Sequence, residues 1–127
     1  MKKEIILTPN APKPVGPYSQ AIRANGFLFV SGQLGIDPSD GKLAQGGVEA
    51  EAAWALKNLC AIVEAAGGSK SDIVKTTVLL SDIKDAPVVN RLYAEVFTEA
   101  HPARAMFAAA ALPMGARVEI EAVAVLP

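Results

Sequence analysis

One cysteine (Cys60), one histidine (His101) and one tryptophan (Trp54) are all the chain has of these residue types. A lone cysteine excludes an internal disulfide and any cysteine-based metal site within the chain. No cluster of lysine and arginine occurs anywhere, and 12 basic against 13 acidic residues leave a formal charge of -1. The basic patch by which proteins grip nucleic acid is therefore missing, and no nucleic-acid partner is expected. The longest apolar run falls well short of the roughly 20 residues that span a bilayer. The first residues also lack a charged segment followed by a signal-type apolar stretch, so the expected location is cytoplasmic, away from membranes.

Hydrophobic residues make up 51% and charged residues 20% of the 127 positions, a balance that fits one globular domain over 1–127. Four prolines among the first 17 residues, after the β-prone stretch Ile5 to Thr8, predict an extended segment lying on a surface. Tyr18 to Ile22 and Phe27 to Ser31 suit strands, and the intervening Asn25-Gly26 is a strong hairpin signal. A Gly-, Pro-, Asp- and Ser-rich connection then runs to Gly47, long enough to border a binding site or simply to be surface.

Val48 to Ala66 predicts a helix whose stripe is Ala52, Leu56, Leu59 and Val63, ended by Gly67-Gly68. Trp54 reads as a packing residue, partly exposed or at a subunit contact, and Cys60, without an adjacent cation, as inert. The β-branched run Ile73 to Leu80 predicts a strand. A second helix follows from about Ala86 to Ala100, with Pro87 in its first turn, Val88, Leu92 and Val96 inward, and His101-Pro102 as its stop. His101 reads as a helix C-terminal cap in preference to a catalytic base. Strands over Arg104 to Leu112 and Arg117 to Val125 complete an order ββ(β)αβαββ. The fold class is α+β, a mixed sheet with both helices on one face. Because the strands are apolar on both sides, the other face is expected to be closed by further copies of the chain.

Two charged residues stand at the ends of these apolar strands. Arg104 opens an uncharged run that lasts to Met114, and Glu119 shares a strand face with Glu121, Val123 and Val125. They are either a carboxylate-binding arginine with a nearby acid or base, or two strand-end residues that reach solvent.

Five short motifs in order, Gly16-Pro17-Tyr18-Ser19-Gln20-Ala21, Phe29-Val30-Ser31-Gly32-Gln33, Asn90, Pro102-Ala103-Arg104 and Val118-Glu119-Ile120-Glu121-Ala122, resemble the RidA (YjgF) family along essentially the whole chain. The resemblance implies a chorismate-mutase-like fold with a six-stranded sheet, a homotrimer with sites between subunits, and no metal or organic cofactor. It also implies hydrolytic deamination of reactive enamines and imines, such as 2-aminoacrylate and 2-iminobutanoate, to 2-oxo acids and ammonia. The family's site positions fall on Tyr18, Ser31, Asn90, Arg104, Met106 and Glu119. Deaminating members usually carry a small polar residue and then a cysteine after the arginine, where this chain has Ala105 and Met106.

Arginine offers a carboxylate two parallel charge-assisted hydrogen bonds, so Arg104 is the expected clamp for an imino acid. Glu119 is the expected group to orient and deprotonate water and then to protonate departing ammonia. Tyr18 would bind the carboxylate or close the pocket, Ser31 and Asn90 would hold neighbours in place, and the Met106 thioether would make the pocket more apolar. Two alternatives remain at this point: a regulatory trimer that binds a small carboxylate without turnover, and the ribonuclease activity also attached to the family. On this reading Arg104 and Glu119 open antiparallel strands and lie some six residues, on the order of 20 Å, apart in one chain.

Overall fold

The computed structural model describes residues 2–127. Its sheet begins with β1 (Glu4–Ile6), β2 (Ala21–Ala24) and β3 (Phe27–Leu34), paired antiparallel in succession. Asn25 and Gly26, at φ 54° and 82°, make the two-residue β2–β3 turn, whose left-handed pair matches the twist of the strands it joins. The Gly-, Pro-, Asp- and Ser-rich connection after β3, expected to be irregular, holds a small ladder, β4 (Ile36–Asp37) against β5 (Lys42–Leu43). Asp37 turns it by accepting from both the amide and the hydroxyl of Ser39, which holds its carboxyl below the usual range.

Helix α1 spans Gly47–Ala65, and strand β6 covers Ile73–Leu80 as expected. Ala52, Leu56, Leu59 and Val63 are all buried, and Gly67, at φ 91°, stops the helix. Helix α2, by contrast, spans only Ala86–Val96. Phe97 leaves helical geometry, at φ -102° and ψ 87°, and puts its ring in the core 4.6 Å from that of Tyr93. The deeply buried stripe of α2 is therefore Val89, Tyr93 and Phe97, with Val88, Leu92 and Val96 partly buried at its flank. His101, exposed and five residues beyond the last helical residue, is not a helix cap.

Strand β7 is Ala103–Ala108, shorter than expected because the chain after Ala108 bends to bury Leu112 and Ala116 with Leu34. Strand β8 covers Val118–Val125. The six-stranded order is β1-β2-β3-β8-β6-β7, antiparallel except for β6 and β7, so β6 separates the last two strands. Both helices pack on the face that carries Leu28, Val78, Leu80, Val118, Ile120 and Ala124. The opposite face bears the row Ile5, Ile22, Phe29 and Val123, in which Ile5 and Phe29 are 65% and 48% exposed. No helix among the described residues is long and apolar enough to cross a membrane.

Candidate functional site

Glu119 belongs to the face without helices, opposite Leu79 of β6 on one side and Leu34 of β3 on the other. The pairing of β3 with β8 slips between Val30 and Gln33, so Ser31 and Gly32 form an irregularity in β3 beside Glu119. A Cβ on Gly32 would lie 2.8 Å from the Glu119 carboxyl carbon, so a larger residue there would displace the Glu119 side chain. The half-buried carboxyl has no hydrogen-bond or ion-pair partner among the described residues. Burial, and secondarily the charge of Glu121, push its pKa above 4.5.

Ser31, next to Gly32, is tied by hydrogen bonds to the segment that carries Tyr18. The Ser31 hydroxyl donates to the Ser19 carbonyl at 2.6 Å and the Ser31 amide to the Gln20 carbonyl at 2.9 Å, which fixes the chain next to Tyr18. Gln20, which is 1% exposed, in turn holds the proline-rich strap: its side chain accepts from the Thr8 amide at 2.7 Å and donates to the Thr8, Ala11 and Pro12 carbonyls. Tyr18 itself is half exposed.

Arg104 occupies the other face. It lies opposite Thr76 in the parallel β6–β7 register, with Met106 two residues along on the same side and partly buried against the core. Its Nη1 donates to Asn90 Oδ1 at 2.8 Å, and the guanidinium carbon lies 4.8 Å from the centre of the Tyr93 ring. With Nη1 engaged, the Nε–Nη2 edge is left as a side-on fork for a carboxylate.

Of the expected site residues, the fold thus brings Asn90, Arg104 and Met106 together, and separately sets Ser31 beside Glu119 in the β3–β8 ladder, while the Tyr18 hydroxyl accepts from the Val15 amide. The fold does not unite the two sets in one chain. Thr76 lies level with Ala122 and Leu79 with Glu119, so Arg104 and Glu119 are offset by three residues and two strands, not six residues. The offset is smaller than expected because β7 starts level with Lys75, inside the end of β6, and each residue is second in its strand. The separation is still on the order of 14 Å between backbones, with the side chains on opposite faces. A groove of about 550 Å³ against Trp54, Lys57, Cys60 and Glu64 of α1 touches neither set. There Trp54 is half-buried under the Lys57 ammonium, 4.6 Å away, and burial raises the pKa of the Cys60 thiol, as expected of an unreactive cysteine.

These features have close counterparts. The family model described as endoribonuclease L-PSP matches residues 8–126. Human 2-iminobutanoate/2-iminopropanoate deaminase is 50% identical over 123 residues, covering 97% of this chain and 90% of that protein. RidA from an Antarctic Psychrobacter superposes with a TM-score of 0.94 at 43% identity, covering 97% of this chain and 99% of its own. The chain belongs to the RidA family. A further solved structure, Escherichia coli TdcF with bound serine, matches with a TM-score of 0.93 at 38% identity, covering 98% and 99%. Within this RidA chain the sequence pattern alone did not single out Gly32 as the neighbour of Glu119, although it stands inside Phe29-Val30-Ser31-Gly32-Gln33. It also missed Tyr93, for which the spacing Asn90-x-x-Tyr93 was the available signal, since residues three apart share a helix face.

Proposed function

We propose that this protein hydrolyses small 2-imino acids and their enamine tautomers to 2-oxo acids and ammonia. The observation that carries the reading is Glu119, an unpartnered, half-buried carboxyl whose pKa lies above the ordinary value, in a family with named imine deaminases. Such a group is suited to take a proton and return it. In the reaction, the free edge of Arg104 holds the substrate carboxylate, and Glu119 removes a proton from water as the oxygen attacks the carbon of the protonated imine. The C=N π electrons move to nitrogen, giving a neutral carbinolamine. The protonated Glu119 then gives its proton to the amino nitrogen, and as C=O forms and C–N breaks the carboxylate takes the hydroxyl proton and passes it to the departing ammonia. The imine carbon is already electrophilic, so fixing water and substrate supplies much of the acceleration.

Both groups serve one substrate only if two chains meet, Arg104 of one copy with Glu119 of the next. The uncovered apolar face and the exposed edge strand β7 support a homotrimer with such shared sites. Ribonuclease chemistry, named in the family description, uses paired acids and bases beside phosphate-binding cations. The charge that perturbs Glu119 is instead a second carboxylate, Glu121, which disfavours a phosphodiester. The deciding test generates 2-aminoacrylate or 2-iminobutanoate in situ with a dehydratase and follows 2-oxo acid release. Acceleration by this protein is expected. Carboxylate binding without acceleration would leave a non-catalytic binding trimer.

A further inference from the structure

We infer that Tyr93 is a positioning residue for Arg104, an aromatic floor that fixes the guanidinium so that its free edge faces the substrate carboxylate. The role in catalysis rests on the deaminase reading above, whereas the placement of Arg104 does not. Three facts support the floor. The Tyr93 ring is nearly enclosed, 5% exposed, while Arg104 above it is exposed, so the ring is fixed and the arginine is the part that needs fixing. The ring is locked at both ends: its hydroxyl lies 2.7 Å from Thr76 Oγ1, and Phe97 packs against it at 4.6 Å. Thr76 is also the residue directly opposite Arg104 on β6, so one fully buried threonine ties the sheet position beneath the arginine to the ring that carries it.

Ring and amide have different tasks. A hydrogen bond from Nη1 to Asn90 restrains one end of the planar guanidinium but leaves it free to swing about that contact. Cation–π attraction to the ring face, 4.8 Å from the guanidinium carbon, holds the group over the ring without using any of its five N–H donors. Together they leave Nε and Nη2 preorganised, so little rotamer entropy is lost when a carboxylate arrives. A ring that only filled the core would have no need of a cation above it.

The test compares Tyr93→Phe, which keeps the ring and loses the hydroxyl, with Tyr93→Leu, which loses the ring. In full-length protein labelled with ¹⁵N-arginine, the Arg104 Nε–H resonance of the unmodified chain should carry an aromatic ring-current shift. That shift should be kept in Tyr93→Phe and lost in Tyr93→Leu, a readout independent of enzymatic activity. In the deaminase assay, Tyr93→Leu should raise KM about 3- to 10-fold with kcat much less changed, and Tyr93→Phe should restore most of it. An Arg104 resonance indifferent to removal of the ring overturns the inference, whatever the activity. So does a Tyr93→Leu protein that keeps its KM. If the resonance responds as expected but no imine is hydrolysed even by the unmodified chain, the floor stands and the deaminase reading falls. Should Tyr93→Leu not fold, Tyr93→Met, which fills the space without a π face, is the second variant. It should lose the Arg104 ring-current shift, and a shift retained there overturns the inference.

Discussion

The clamp proposed at Arg104 depends on shape as much as on charge. A lysine reaching the same place would present one ammonium where the guanidinium presents a fork. Arg104→Lys is expected to lose most activity, and Arg104→Ala nearly all of it while still folding, since losing one partner of a desolvated charge pair costs roughly 2 to 5 kcal/mol. Steady-state kinetics with in situ imine, beside a thermal melt, decide this, and a fully active lysine variant refutes the clamp. Glu119→Gln is expected to lower turnover about 10²-fold or more while leaving affinity for an inert 2-oxo acid largely intact.

The raised pKa of Glu119 also fixes the sign of a stability effect. Between 4.5 and its higher folded value, the folded chain binds more protons at this site than the unfolded chain. Stability contributed by this residue therefore falls as pH rises through that window. Urea unfolding across the window should show a shallower decline for Glu119→Gln than for the unmodified protein, and identical slopes would remove Glu119 as a titrating group. The departure at Met106 is testable in the same assays. If replacing the usual cysteine has weakened catalysis, Met106→Cys raises kcat/KM. Unchanged activity shows that the thiol is dispensable in this pocket.

Among the elements, the N-terminal strap depends most on one side chain. Gln20 accepts from one amide and shares its two Nε2 hydrogens among three carbonyls of a segment whose prolines prevent it from making a ladder of its own. Gln20→Ala leaves those buried groups without partners and is expected to destabilise the fold by about 1 to 3 kcal/mol. Chemical denaturation gives the value, and a loss below a few tenths would mean that water replaces the side chain. The elements also show how far sequence pattern reaches. Asn25-Gly26, the α1 stripe and the β6 run were legible because each is specified by neighbours within a few residues. The end of α2 was not, since helical pattern continues to Ala100 while Phe97 finds more burial against Tyr93 than the helix offered. The early end of β7 has the same origin, with Leu112 drawn into a second small core beside Leu34.

For the whole molecule, if Arg104 of one copy and Glu119 of the next share a site as proposed, activity is a property of the assembly. Neither Arg104→Ala nor Glu119→Gln chains alone should turn over imine. Co-refolded hybrids should regain part of the activity, because some sites then combine an intact arginine with an intact glutamate. No recovery in hybrids verified by mass spectrometry would overturn the shared site, and sedimentation of the unmodified chain should give three copies.

The sequence by itself determined the α+β class, the hairpin, Arg104 and Glu119 as candidate site residues near the starts of largely apolar strands, and the presence of an apolar face in excess of what two helices cover. These follow from period and composition, which act locally. Only the tertiary structure decided that β6 lies between the last two strands, that the offset of Arg104 and Glu119 is three residues with the side chains on opposite faces, and that Tyr93 underlies the arginine while Gly32 makes room for the glutamate. Strand order and register are set by which apolar sides find partners across the sheet, and no stretch of the chain carries that information alone.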